Sequence, residues 1–182
     1  MKTGYFFEML ISFERSIGKA EELIAVIANY AMVAVIVWQV ICRYFLMIPT
    51  AWAEELARYI FVWLCFIACG IATRENKHIE IDLISTIIES KAADPERVTA
   101  ALNKVTYIVS IVFLSITTNI YTQYLFQIVR RGQRSPALKV LIAVPMTAAL
   151  VGFALMIFHY ICMLVVPDQY RKKPSTEPER VE

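Results

Sequence analysis

Apolar residues run along this 182-residue chain in four long blocks, with the charged residues gathered into short segments between them. Leu23 to Cys42 is nearly free of charge and about twenty residues long. At 1.5 Å per residue that is enough for a helix to cross a hydrocarbon core about 30 Å thick. The same reasoning predicts spans at about 23–42, 51–73, 105–129 and 140–166 within a single membrane domain, 1–166. Two further stretches are amphipathic. Residues 4–19 place Phe6, Met9, Leu10, Phe13 and Ile17 on one side, opposite Glu8, Ser12, Arg15, Ser16 and Lys19. Residues 79–91 place Ile79, Leu83 and Ile87 on another such face, with Ile81, Ile84 and Ile88 beside them. Both are expected as helices lying in the headgroup plane. The alternation of His78, Glu80 and Asp82 with Ile79, Ile81 and Leu83 also suits a short strand, but a lone strand edge has no partner at a membrane surface. The pattern defines an all-α, polytopic membrane protein with four transmembrane helices plus interfacial amphipathic helices.

Breakers and caps place the joints. Pro49 ends the first block, and Thr50 stands where it can cap a new helix with Glu54 and Glu55 near its positive end. Asp94, Pro95 and Glu96 open a helix that can continue to Gln127 or Arg130, about 50 Å, so it must tilt or project beyond the bilayer. Ser135-Pro136 starts a turn, Pro145 is expected to bend the last helix, and Ala148 with Gly152 forms a small-xxx-small pair where another helix can approach. Residues 167–182, rich in Pro and Glu around Arg171, Lys172 and Lys173, read as a disordered cytoplasmic tail. Glu8 and Glu14 interrupt any signal-peptide core, so a cleaved leader is not expected.

Composition narrows the class. The chain is 58% hydrophobic with a formal net charge of +2, too weakly basic for a nucleic-acid partner. Cys42, Cys65, Cys69 and Cys162 all fall in apolar runs, where a thiol serves as a small packing residue. Cys65 and Cys69 share a helix face, but no imidazole or thiol pair completes a zinc site. Twelve of the eighteen Lys and Arg fall in the N-terminal segment, the loop between the second and third spans, and the tail. That side should be cytoplasmic, with both termini on it. Arg130, Arg131, Arg134 and Lys139 run locally against this bias, so either this cluster meets an anionic partner on the outer face or it counts against that orientation.

Candidate chemistry is sparse. Glu54, Glu55 and Arg58 stand near the start of the second span, close to Arg43 and Trp52, and are expected to form a buried network that fixes the hairpin. A proton relay through them is the alternative, but Val62 to Ala72 contains no charge to continue it. Ser115, Asn119, Gln123 and Gln127 recur every four residues as a polar line suited to helix–helix contact. His78 and His159 are expected at different depths, which disfavours paired haem ligation and with it a four-helix redox subunit of cytochrome type. A small autonomous carrier is the remaining alternative. No catalytic, cofactor or metal site is expected.

The order Arg43-Tyr44, Trp52, Glu54-Glu55, Arg58-Tyr59, Trp63, His78-Ile79 and Asp82 resembles the signature of the small membrane subunit, DctQ type, of tripartite ATP-independent periplasmic (TRAP) transporters. Members often place Gly just before the His, where this chain has Asn76-Lys77. The resemblance covers about Arg43 to Leu83, and the rest agrees in span layout. It implies a non-catalytic inner-membrane protein of bacteria. Its partner would be a large DctM-like subunit that holds the substrate and sodium sites, and a periplasmic substrate-binding protein would deliver an organic acid. C4-dicarboxylates, sialic acid and sugar acids all stay open. Arg43, Trp52, Glu54, Glu55, Arg58, Tyr59, His78, Asp82, Ser115, Asn119 and Gln123 become structural or interface residues on this reading. Arg130, Arg131 and Arg134 become contacts for the binding protein or for anionic membrane lipid.

Overall fold

The computed structural model describes residues 2–75 and 95–166. Four helices account for nearly all of them: α1 (Lys2–Tyr44), α2 (Ala51–Arg74), α3 (Pro95–Arg131) and α4 (Ala143–Val165). All four are long and apolar enough to cross a membrane. The second amphipathic stretch, 79–91, and the tail, 167–182, lie outside the described residues.

The first amphipathic stretch does not form a separate helix. Residues 4–19 and the span that follows are one unbroken helix of 43 residues, about 65 Å long. Ala20-Glu21-Glu22-Leu23 joins the two parts with strong helix formers and no Pro, so nothing in the backbone calls for a break. At the other end of α1 the chain turns through Phe45 to Thr50. Met47 takes a positive φ of 53°, and the Ile48 N–H returns to the Cys42 carbonyl at 3.1 Å. Thr50 occupies the cap position of α2, but its side chain makes no cap hydrogen bond, contrary to expectation. Its backbone carbonyl accepts from the Ala53 N–H instead, at 3.0 Å.

The sequence leads one to expect a bend at Pro145. It lies in the first turn of α4, where its missing N–H would have had no intrahelical partner, so it is compatible with a straight start. The third helix, by contrast, runs as far as the sequence suggested, 37 residues to Arg131. Gly132, at φ 60°, ends it.

Among the described residues the helices stand in a row rather than a square. α2 packs on α1 and on α4, α3 packs on α4, and α1 meets α4 only lightly. The tightest point is between α2 and α4. A Cβ built on Gly152 would sit 2.8 Å from the Phe66 Cβ and 2.9 Å from the Phe66 carbonyl oxygen. Ala148, one turn earlier, is fully buried on α4. Phe66 and Tyr121 then close edge-on against Phe153, with centroids 5.7 and 6.0 Å away. Where α3 meets α4, Leu114, Met156, Tyr160 and Met163 form one cluster, and Leu125, Ile128 and Ala143 form a second nearer the turn. Cys65 and Cys69, expected at a packed interface, are exposed because they sit on the side of α2 away from its neighbours.

Adding a side chain at Gly152 should separate α2 from α4. Gly152→Val is expected to lower stability by about 1–3 kcal/mol. Gly70→Ala should do much less, because its nearest neighbours would be at 3.3 and 3.4 Å. Thermal unfolding of the two variants in detergent checks the ranking, and equal melting temperatures would contradict it.

Candidate functional site

Two polar centres hold the row together, one at each end. At the end where α1 turns into α2 and α3 into α4, labelled outer only to tell it from the opposite, inner one, the centre is Glu55. Although it lies in an apolar helix, its side chain is only 8% exposed. One carboxylate oxygen accepts the Tyr59 hydroxyl at 2.6 Å. The other accepts two backbone N–H groups, from Ala137 at 3.0 Å and Leu138 at 2.9 Å. These two amides belong to the tight turn joining α3 to α4, and Ser135 is buried beside the same carboxylate. The turn closes on itself as well: Ser135 N–H donates to Val140 O at 2.8 Å and Ile142 N–H to Gln133 O at 3.0 Å. Lys139 takes a φ of 59° inside it. A carboxylate fits this position because it accepts from several donors at once, and charge-assisted bonds of this kind are among the stronger ones.

The expected network of Glu54, Glu55 and Arg58 therefore separates into two parts. Glu54 and Arg58 do pair, at 3.3 Å, but both side chains are about two-thirds exposed. Helical geometry accounts for this: position 55 faces α4 and its turn, whereas 54 and 58 point away together. Arg43 does not join either residue in an ion pair among the described residues. Its guanidinium stands 5.9 Å from the Tyr44 ring centroid, while Trp52 is exposed nearby. Arg43 and Glu54 do share the lining of an open cleft of about 400 Å³ between α1 and the start of α2.

The basic group lies on the turn that Glu55 holds. Arg130 packs over Phe126, 4.4 Å from its centroid, and Arg134 donates to the Lys139 carbonyl at 3.4 Å. Arg131 is exposed beside them. The polar line on α3 faces outward, away from the row: Ser115, Asn119, Gln123 and Gln127 are all exposed. Gln123 donates to Asn119 Oδ1 at 2.8 Å, and Ser115 is satisfied by the Ile111 carbonyl at 2.7 Å. His78 and Asp82 lie outside the described residues.

The inner centre was not foreseen. His159 of α4 is completely buried between two carboxylates of α1, themselves almost buried. Its Nε2 is 3.1 and 3.3 Å from the Glu21 oxygens, and its Nδ1 is 3.5 Å from Glu14 Oε1. A neutral imidazole donates from one nitrogen only, so full satisfaction of both carboxylates needs a shared additional proton. Beside this group Arg74, at the end of α2, pairs with Glu22 and crosses α1 at Gly18, the position any side chain there would occupy. Phe13 of α1 meets Phe158 of α4 edge-on at 5.9 Å. The signal in the sequence was His159 itself: an ionisable group inside an apolar span needs a partner.

A row of four apolar helices, tied by polar contacts at its two ends, defines a multi-pass membrane protein. A family model described as the DctQ component of tripartite ATP-independent periplasmic transporters matches residues 32–169, and the chain belongs to that family. It is 38% identical over 76 residues to the sialic acid TRAP transporter small permease protein SiaQ of Vibrio cholerae, across 42% of this chain and 44% of that protein. Over 75 residues it is 28% identical to the sialic acid TRAP transporter permease protein SiaT of Haemophilus influenzae, across 41% of this chain but 12% of that one. The isethionate TRAP transporter permease protein DctMQ of Oleidesulfovibrio alaskensis is 28% identical over 109 residues, across 58% of this chain and 16% of its own length. The chain thus spans less than half the length of each of these relatives.

Removing the Glu55 carboxylate should loosen the turn. Glu55→Ala leaves two part-buried amides without an acceptor, at up to about 1–3 kcal/mol each. Trypsin cleavage after Arg134 is expected to speed up in that variant and stay unchanged in Glu54→Ala. Equal cleavage of the two would contradict the assignment. At the inner end, His159→Leu strands two buried carboxylates and should cost about 3–5 kcal/mol in thermal unfolding. The loss should be partly recovered when Glu14 and Glu21 are changed to Gln in the same chain.

Proposed function

We propose that this chain is the small, non-catalytic membrane subunit of a sodium-driven TRAP importer of organic acids, bracing a large DctM-like transport subunit in the bacterial inner membrane. The observation that carries the reading is the direction of the α3 polar line. Ser115, Asn119 and Gln123 face away from the protein's own helices at a depth where lipid tails would otherwise surround them. Amide side chains there gain most from another helix that offers hydrogen bonds. The relatives support a larger companion. In SiaT and DctMQ a segment like this one is a small fraction of a longer permease chain.

The distribution of Lys and Arg supports cytoplasmic termini, which puts the Glu55-held turn on the periplasmic side. There Arg130, Arg131 and Arg134 form a basic surface suited to the periplasmic substrate-binding protein. Arg43, Trp52, Glu54, Glu55, Arg58 and Tyr59 shape the same outer end, and on this reading His78 and Asp82 are interface residues too. The relatives' names include sialic acid and isethionate, both anionic, which supports an organic acid as the solute class.

Changing Asn119 and Gln123 together to Leu is expected to reduce recovery of the large subunit on the tagged small one about tenfold, near 1.4 kcal/mol. The level of the small chain itself should hold. Undiminished recovery would remove the support this reading draws from α3.

A further inference from the structure

The cleft between α1 and the start of α2 plays no part in holding the row together, yet its lining is chemically specific. Gln39 and Arg43 come from α1, Met47 to Thr50 from the turn, and Ala51 and Glu54 from α2. It therefore presents a guanidinium, a carboxylate, an amide and a hydroxyl within one open volume of about 400 Å³, in the size range of small-ligand sites. Around it the turn is strongly apolar and exposed: Phe45 is 80% and Met47 86% accessible, with Tyr44, Leu46, Ile48 and Trp52 beside them. Apolar and aromatic residues that flank a span end in this way sit at the level of lipid headgroups. The cleft thus opens where headgroups and the upper acyl chains meet.

We infer that this cleft binds the headgroup of a zwitterionic, primary-amine phospholipid, with the phosphate on Arg43 and the ammonium on Glu54. A guanidinium matches phosphate oxygens with paired donors, and a primary ammonium offers N–H donors to a carboxylate. Gln39 and Thr50 supply further polar contacts for the phosphate ester, while Met47 and Ile48 meet the first part of the acyl chains. The placement of opposite charges selects among lipids. An anionic glycerol headgroup satisfies Arg43 but brings only neutral hydroxyls to Glu54, without the ammonium charge that would balance it. A choline headgroup carries the right charges but has no N–H to donate. Glu54 remains available for the role because its pairing with Arg58 is exposed, and such pairs hold only weakly. The inference rests on the chain lying in a membrane and not on any partner subunit.

Native mass spectrometry of the full chain, purified with its associated subunits and offered equal amounts of phosphatidylethanolamine, phosphatidylcholine and phosphatidylglycerol, tests it. The wild-type chain should retain phosphatidylethanolamine about threefold over either competitor, the size of effect an exposed charge contact gives. Glu54→Gln should erase that preference while still binding lipid, and Arg43→Gln should reduce retention of all three. Glu54 is exposed, so its replacement leaves the fold intact, and the wild-type ranking needs no variant. Equal retention of the three lipids by the wild-type chain overturns the inference. So does a phosphatidylethanolamine preference that survives Glu54→Gln.

Discussion

Helices already surrounded by lipid tails gain little by exchanging those tails for each other's side chains, so they associate through close backbone approach and satisfied polar groups. Here both devices fall on the pair α2 and α4. Phe66 reaches the backbone of α4 because position 152 is glycine. The outer end of the same pair is fastened by Glu55, which spends both oxygens on the turn leading into α4 and on Tyr59. At the inner end, His159 of α4 reaches past α2 to two carboxylates of α1, and Arg74 of α2 reaches α1 at Glu22. The remaining helices are positioned by their attachment to this pillar.

A row built on a central pair leaves its outer members one-sided. α1 and α3 bury little of their apolar length within the chain. In water such surfaces would be a liability, but in a bilayer lipid or other helices meet them. The two ends are not equivalent. The free side of α1 is almost wholly apolar through its span and suits lipid contact. α3 instead carries amides and hydroxyls on its free side, and these are costly to leave in hydrocarbon without partners. Gln123 and Asn119 bond to each other, which satisfies one donor and one acceptor and leaves further capacity for a neighbouring helix.

The four helices were legible because length and apolarity decide them, and a breaker such as Pro49 needs no tertiary information. The direction of side chains between helices was less so. Glu54 and Glu55 are the same residue type at adjacent positions, and only the turn from α3 to α4 decides which one is buried. That turn comes some eighty residues later, and its contribution is two backbone amides, which no residue type advertises. The single helix Lys2–Tyr44 was missed for a related reason. An amphipathic face suits a membrane surface and a neighbouring helix alike, and the choice between them rested on His159, distant in sequence. The small-residue pair of α4, Ala148 and Gly152, was visible as a motif, but its partner, Phe66, was not.

The inner centre also explains why α1 can be so long. A helix of about 65 Å extends well beyond α2 and α4, and a free extension with a polar and an apolar side would be expected to bend into the headgroup plane. Glu14 and Glu21 lie on one line of α1, seven residues or two turns apart, and His159 engages both. Two contacts on one line fix the direction of the helix axis as well as its position, which a single contact would not. Phe13 against Phe158 adds a third point close to Glu14. The cost of burying two carboxylates is therefore offset by a result apolar packing alone would not give: α1 stays aligned with the row past the end of its neighbour α2.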